Sequence, residues 1–178
     1  MDNKIIHHPL ITTPIWQVLD YLLQHPDLEE SDSEIVAKIY GTKKSAINVA
    51  LRRLAAIHLI ERQSRGRMIF NKLLPTPLII QLKIVSNLLY IQPTVEKLQP
   101  FCSKIVLFGS RAFGTHTFES DYDLFVVANH IEKVLKKINK TSNIQIIFKN
   151  PAKMLSFSED EPELSKEVKK GIVLWEKN

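Results

Sequence analysis

The sequence predicts an α+β chain built as two modules, and three observations carry that prediction. Apolar residues recur at helical spacing through residues 14–58, then give way to two short strand-like runs around Gly66. Pro75 and Pro77 punctuate the chain. Beyond them, the apolar runs Ile105 to Phe108 and Leu124 to Val127 read as buried strands on either side of a glycine turn. The expected boundaries are 1–75 and 76–178, the second module including a connecting helix over about 78–91.

Composition narrows the class. A chain of 178 residues has room for one ordinary domain or two small ones. Its 44% apolar and 24% charged residues are those of a soluble globular protein. The first residues carry charges and no long apolar run, so neither a signal peptide nor a membrane helix is expected, and the cytoplasm is the default location. The most apolar stretch, Leu78 to Ile91, is interrupted by Gln81, Lys83, Ser86 and Asn87. A single cysteine, Cys102, excludes an internal disulfide and a cysteine-rich zinc site.

In the first module, Met1 to Thr13 is irregular and holds a His7-His8 pair with no third ligand in view. Ile15, Val18, Leu19, Leu22 and Leu23 then mark a helix that opens on Pro14 and stops before Pro26. Residues 26–32 read as an acidic loop. Asp32 or Ser33 can cap a second helix holding Ile35, Val36 and Ile39. A third helix is expected over about 42–58, with Ile47, Leu51, Leu54 and Ala55 inward. Leu59 to Arg62 and Met68 to Phe70 flank Gly66 as the strands of a hairpin.

Charge concentrates in this module. The formal net charge is +5, yet residues 43–72 hold eight Lys and Arg against Glu61 alone, a local excess of +7. Such a cluster is the electrostatic footprint of a surface that meets a polyanion. Three helices followed by a basic hairpin resemble a winged helix-turn-helix, over roughly Pro14 to Leu74. The resemblance implies a third helix that enters the major groove and a wing that touches phosphates. The nucleic-acid contacts implied are Lys43, Lys44, Ser45, Asn48 and Arg52 on the helix, and Arg65 and Arg67 on the wing. Asn48 suits an adenine edge, the cations suit phosphates, and DNA is favoured over tRNA. A protein-docking or dimerising module is the bland alternative, and a homodimer is a fair expectation.

In the second module, the helix over 78–91 is expected to break at Pro93, with Ile80, Ile84, Leu88 and Ile91 as core or as a dimer seam, and a short helix over 94–98. Ile105 to Phe108 then stops at Gly109-Ser110, where a residue without a Cβ allows a sharp turn and close approach to a ligand. After Gly114, Asp121 and Asp123 precede Leu124 to Val127; two residues apart on a strand, their carboxylates share one face. Paired acids beside a glycine turn suit divalent cations and a polyphosphate. Arg111 is a candidate phosphate contact, His116 reads as a polar loop residue, and Ser120 as shaping the strand start. A short helix over 131–138 with Lys133, Lys136 and Lys137 outward, a strand over 143–148, a helix over about 162–170 ended by Gly171, and a closing run Ile172 to Trp175 complete the chain.

Gly109-Ser110-x-Ala112-x-Gly114 followed by Ser120-Asp121-x-Asp123-Leu124 resembles the signature of the DNA polymerase beta nucleotidyltransferase superfamily, nearest its small prokaryotic minimal branch, over roughly Leu98 to Trp175. The resemblance implies a small mixed sheet with helices on one side and two Mg²⁺ (or Mn²⁺) on the catalytic Asp121 and Asp123. It also implies an NTP held at Gly109 and Ser110, and a hydroxyl acceptor on protein or RNA. Some members work within toxin–antitoxin pairs. Such families also supply a third carboxylate from a following strand, where this chain has Gln145, and no Asp or Glu lies between Glu132 and Glu159. An amide is a poor base. Either another acid substitutes, Glu119 or one from a partner, or the domain is weakened. The alternative function is a DNA-binding regulator or antitoxin-type partner with a degenerate, nucleotide-sensing transferase domain.

Overall fold

The computed structural model describes residues 12–129 and 143–177. The His7-His8 pair and the helix expected over 131–138, with its three lysines, lie outside those residues. The chain divides into two compact units, 1–86 and 87–178. That division falls inside a helix, not at the expected 75/76 boundary. Pro77 suits a first helical turn, Thr76 Oγ1 accepts from the Ile79 amide, and Ile79 belongs to the first core.

The first unit begins with α1 (Pro14–Gln24), opened by Thr13 and Pro14 and stopped at His25, before Pro26. Its Val18, Leu19, Leu22 and Leu23 are buried. The acidic loop is more ordered than its composition suggests. Glu30–Ser31 form a two-residue strand, β1, and Ser31 rather than Asp32 or Ser33 caps α2 (Asp32–Lys38). Ser31 and Glu34 complete a reciprocal capping box, and the two hydrogen bonds from Ser31 hold the exposed Glu34 carboxyl below its ordinary range. α3 (Lys44–Ala56) buries Ile47, Ala50, Leu51 and Leu54. Each leucine fully removed from water contributes about 1.5–3 kcal/mol, enough to seat a helix that has no side-chain cap. β2 (Ile60–Arg65) and β3 (Met68–Leu73) pair antiparallel around Gly66–Arg67, and β1 joins the outer edge of β3.

α4 (Pro77–Leu98) continues through Pro93, against the break expected there. An interior proline costs about 3 kcal/mol. Ile91, Val95 and Leu98, all at most 5% exposed, flank it and outweigh that cost. Ile80, expected as core or as part of a dimer seam, is exposed, and Ile79 is buried in the core. Pro77–Phe101 is long and apolar enough to cross a membrane by length and composition, yet Lys83, Ser86 and Asn87 within it are buried.

The second unit is built on β4 (Lys104–Phe108), β5 (Tyr122–Val127), β6 (Ile144–Lys149) and β7 (Ile172–Glu176). Among the described residues their order is β6-β5-β4-β7, with β5–β6 parallel and the other pairs antiparallel. The sheet is mixed, as expected. Helices, however, cover both faces rather than one. Ile105, Leu107, Tyr122, Leu124 and Val126 pack on Ile91, Val95 and Leu98 of α4. Val106, Phe108, Phe125 and Val127 pack on Phe157 of α6 (Phe157–Asp160) and Val168 of α7 (Pro162–Lys170). A strand that is apolar at every position needs burial on both sides, and the runs in β4 and β5 already said so. A five-residue helix, α5 (Gly109–Phe113), leads out of β4. Cys102 is buried beside these strands, and burial pushes its thiol up to about 11.

Candidate active site

The site sits where β4 ends and β5 begins. In the antiparallel register Phe108 pairs with Asp123, so the next residue, Gly109, turns over the Asp123 side chain. Gly109 has φ +69°, a left-handed conformation costly for residues with a Cβ. A Cβ there would also stand 2.5 Å from Asp123 Oδ2. The carboxylate occupies the space that any side chain at 109 would need.

Asp121 lies one residue before β5 and Asp123 inside it, both half-buried. Between them Tyr122 is fully buried on the opposite face, stacked on Tyr90 with ring centroids 4.8 Å apart. The alternation therefore delivers the acids to one face, as period two requires. Burial, then the charge of Asp121, then that of Glu167 on α7 raises the Asp123 pKa. Two crowded, partly desolvated carboxylates favour a cation between them, and their oxygens are the hard donors that Mg²⁺ prefers.

Gln145 stands opposite Asp123 in the parallel β5–β6 register, and its Nε2 donates to Asp121 Oδ2 at 2.8 Å. The strand expected to carry a third acid is present and in place, but it presents an amide. Among the described residues no three His, Cys, Asp or Glu gather as a metal cluster, so Glu119 does not complete one.

Arg111 does not face the site. It is 3% exposed, its Nε and Nη2 donate to the Ser120 carbonyl at 3.2 and 2.8 Å, and its guanidinium lies 4.4 Å from the centre of the Tyr122 ring. This corrects the expected phosphate contact: α5 turns the side chain inward beneath the loop. His116 is also buried, 3.1 Å from Asn87 Nδ2. Asn87 was missed as a site neighbour, although it stands out in sequence as an amide inside an apolar helix. Ser110 remains half-exposed beside Gly109, and its carbonyl accepts from the amides of Gly114 and Thr115.

Residues 91–178 match the family model described as Polymerase beta, Nucleotidyltransferase. This stretch is a polymerase beta nucleotidyltransferase domain. A solved structure from Sulfolobus solfataricus, described as a candidate nucleotidyltransferase, is 20% identical, with a TM-score of 0.39 over 55% of this chain and 87% of its own. None of the curated proteins matches the chain.

The nucleotidyltransferase domain follows a unit whose basic residues divide into two groups. Lys43 and Lys44 at the start of α3, Arg52 about two turns further along it, and Arg67 on the hairpin turn are exposed, as is Ser45 beside the lysines. Arg65, by contrast, makes a two-pronged ion pair with Glu29, at 2.9 and 2.7 Å, and Arg62 donates through Nη2 alone to both oxygens of Asp32. The acidic loop folds onto the hairpin cations instead of standing apart from them, so Arg65, though exposed, already has a carboxylate partner. Asn48 is half-buried, with its Oδ1 shut off from water and from hydrogen bonds. Its oxygen is therefore turned inward and not presented to a base edge.

Proposed function

We propose that this chain is a Mg²⁺- or Mn²⁺-dependent nucleotidyltransferase that moves a nucleoside monophosphate from an NTP to a hydroxyl on protein or RNA. The observation that carries the reading is the Asp121–Asp123 pair pressed against the side-chain-free Gly109. In that reaction the acceptor hydroxyl releases its proton to solvent as its oxygen bonds to the α-phosphorus, the bond to the bridging oxygen breaks, and pyrophosphate leaves with its electrons. Asp121 and Asp123 would hold the cations, whose contribution is to neutralise phosphate charge. The backbone at Gly109 and Ser110 would face the phosphates. Gln145 holds Asp121 through one of its oxygens, which fixes the carboxylate without adding charge.

Incubation with α-labelled NTPs and Mg²⁺ or Mn²⁺ in host lysate tests this, beside an Asp121→Asn/Asp123→Asn control. Label on a protein or RNA band that disappears in the control is expected. Its absence with every NTP would overturn the reading.

Gln145 favours a second reading, a regulator or antitoxin-type partner that binds nucleotide without turnover. Metal-dependent nucleotide binding without label would select it. In either case we read the first unit as a winged helix that meets DNA through Lys43, Lys44, Ser45, Arg52 and Arg67, in a cytoplasmic, dimerising protein.

A further inference from the structure

We propose that Arg111 and Asn87 form a buried strut that sets where Asp121 stands, which makes them positioning residues of the nucleotidyltransferase site. The inference rests on the reading above and extends it to residues remote from the reacting atoms.

Asp121 makes its own side-chain contact with Gln145, but its two chain neighbours are held by one guanidinium. Arg111 grips the carbonyl of Ser120 with two nitrogens and lies over the ring of Tyr122. The residue before Asp121 and the residue after it are thus fixed by the same planar group. Ser120 is fastened once more, its hydroxyl accepting from the Thr117 amide at 3.0 Å.

Asn87, fully buried, holds the guanidinium in turn. Its Oδ1 accepts from Arg111 Nη1 at 3.2 Å and from the Tyr122 hydroxyl at 3.2 Å. Its Nδ2 donates to the Arg111 carbonyl at 2.9 Å and lies against His116 Nδ1. One amide therefore joins both ends of Arg111 to the start of β5. Burying a guanidinium is costly unless its donors are satisfied, and here Nε and Nη2 are satisfied by the segment that carries Asp121 and Nη1 by Asn87. Packing alone would be served by an apolar side chain of similar size. A rigid fork is needed only where one carbonyl must be held at a fixed place and angle.

Arg111→Lys keeps the charge and removes the fork. Ile91→Val, in the core of the same unit, loosens packing without touching the strut. The probe is Mn²⁺ alone, titrated against the full chain by electron paramagnetic resonance, with melting temperature measured in parallel. Arg111→Lys is expected to weaken Mn²⁺ binding at least about tenfold, the usual effect of a lost outer partner. Ile91→Val should stay within about twofold at an equal or lower melting temperature. Wild-type affinity in Arg111→Lys, or an equal loss in Ile91→Val, overturns the proposal. Should Arg111→Lys fail to fold, Asn87→Ser is read on the same criteria.

If the wild-type chain binds no Mn²⁺, the metal-dependent reading falls and amide hydrogen exchange decides the strut. Faster exchange at Ser120 and Asp121 in Arg111→Lys, absent in Ile91→Val, upholds it, and unchanged exchange overturns it.

Discussion

A Cβ on Gly109 would stand 2.5 Å from Oδ2 of Asp123, so the turn and the acid occupy each other's space. Gly109→Ala meets that clash and an unfavourable φ together. The expected cost is about 1–3 kcal/mol in urea unfolding, with loss of Mn²⁺ binding as Asp123 is pushed aside. An alanine variant of wild-type stability and affinity would show that the carboxylate has room to leave.

Asp123 gives a pH signature. Its pKa in the fold lies above the ordinary value of 3.8, chiefly through burial. The native chain therefore keeps a proton that the unfolded chain has already lost. Stability from this group is complete below about 3.8 and is lost as pH rises through the folded value. Without metal, Asp123→Asn is expected to melt higher than wild type at pH 7, with the gap closing on acidification. Mg²⁺ should raise the wild-type melting temperature and leave the variant unchanged. Melting curves across pH, with and without the ion, check both signs.

Gln145→Glu places a third negative charge at the register position facing Asp123 and breaks the hydrogen bond to Asp121. The metal-free chain should become less stable and its Mn²⁺ affinity should rise roughly tenfold, since ligand charge count tunes such sites. Calorimetric titration measures the second effect and thermal melting the first.

The basic surface yields a contrast between two arginines. Arg52 and Arg65 are both exposed, but Arg65 is ion-paired with Glu29. Arg52→Ala should weaken duplex DNA binding and reduce the slope of log affinity against log salt by about one. Arg65→Ala should change that slope little. Fluorescence anisotropy over a salt series separates the two, and equal effects would restore Arg65 to the contact set.

Local chemistry was legible in the sequence. Period-two spacing placed Asp121 and Asp123 on one face, unbroken apolar runs gave β4 and β5, and the glycines marked the turns. What failed to show depended on distant residues. Arg65 looks like a free cation until Glu29, thirty-six positions earlier, folds against it. Arg111 looks like a phosphate ligand until Asn87 and Ser120 claim it from within. Pro93 looks like a helix stop, and only the burial of Ile91 and Val95 overrides it. Asn87 reads as an interruption in an apolar helix because nothing nearby in sequence says what it holds.

The register of β6 against β5 is fixed by six backbone pairs, none of which depends on the side chain at 145. Glutamine and glutamate codons differ only in their first base. A lineage carrying this sheet could therefore pass between a two-acid and a three-acid site by one point mutation, without passing through an unfolded ancestor. A change in the charge that the site offers a cation would then be among the smallest heritable steps open to the protein.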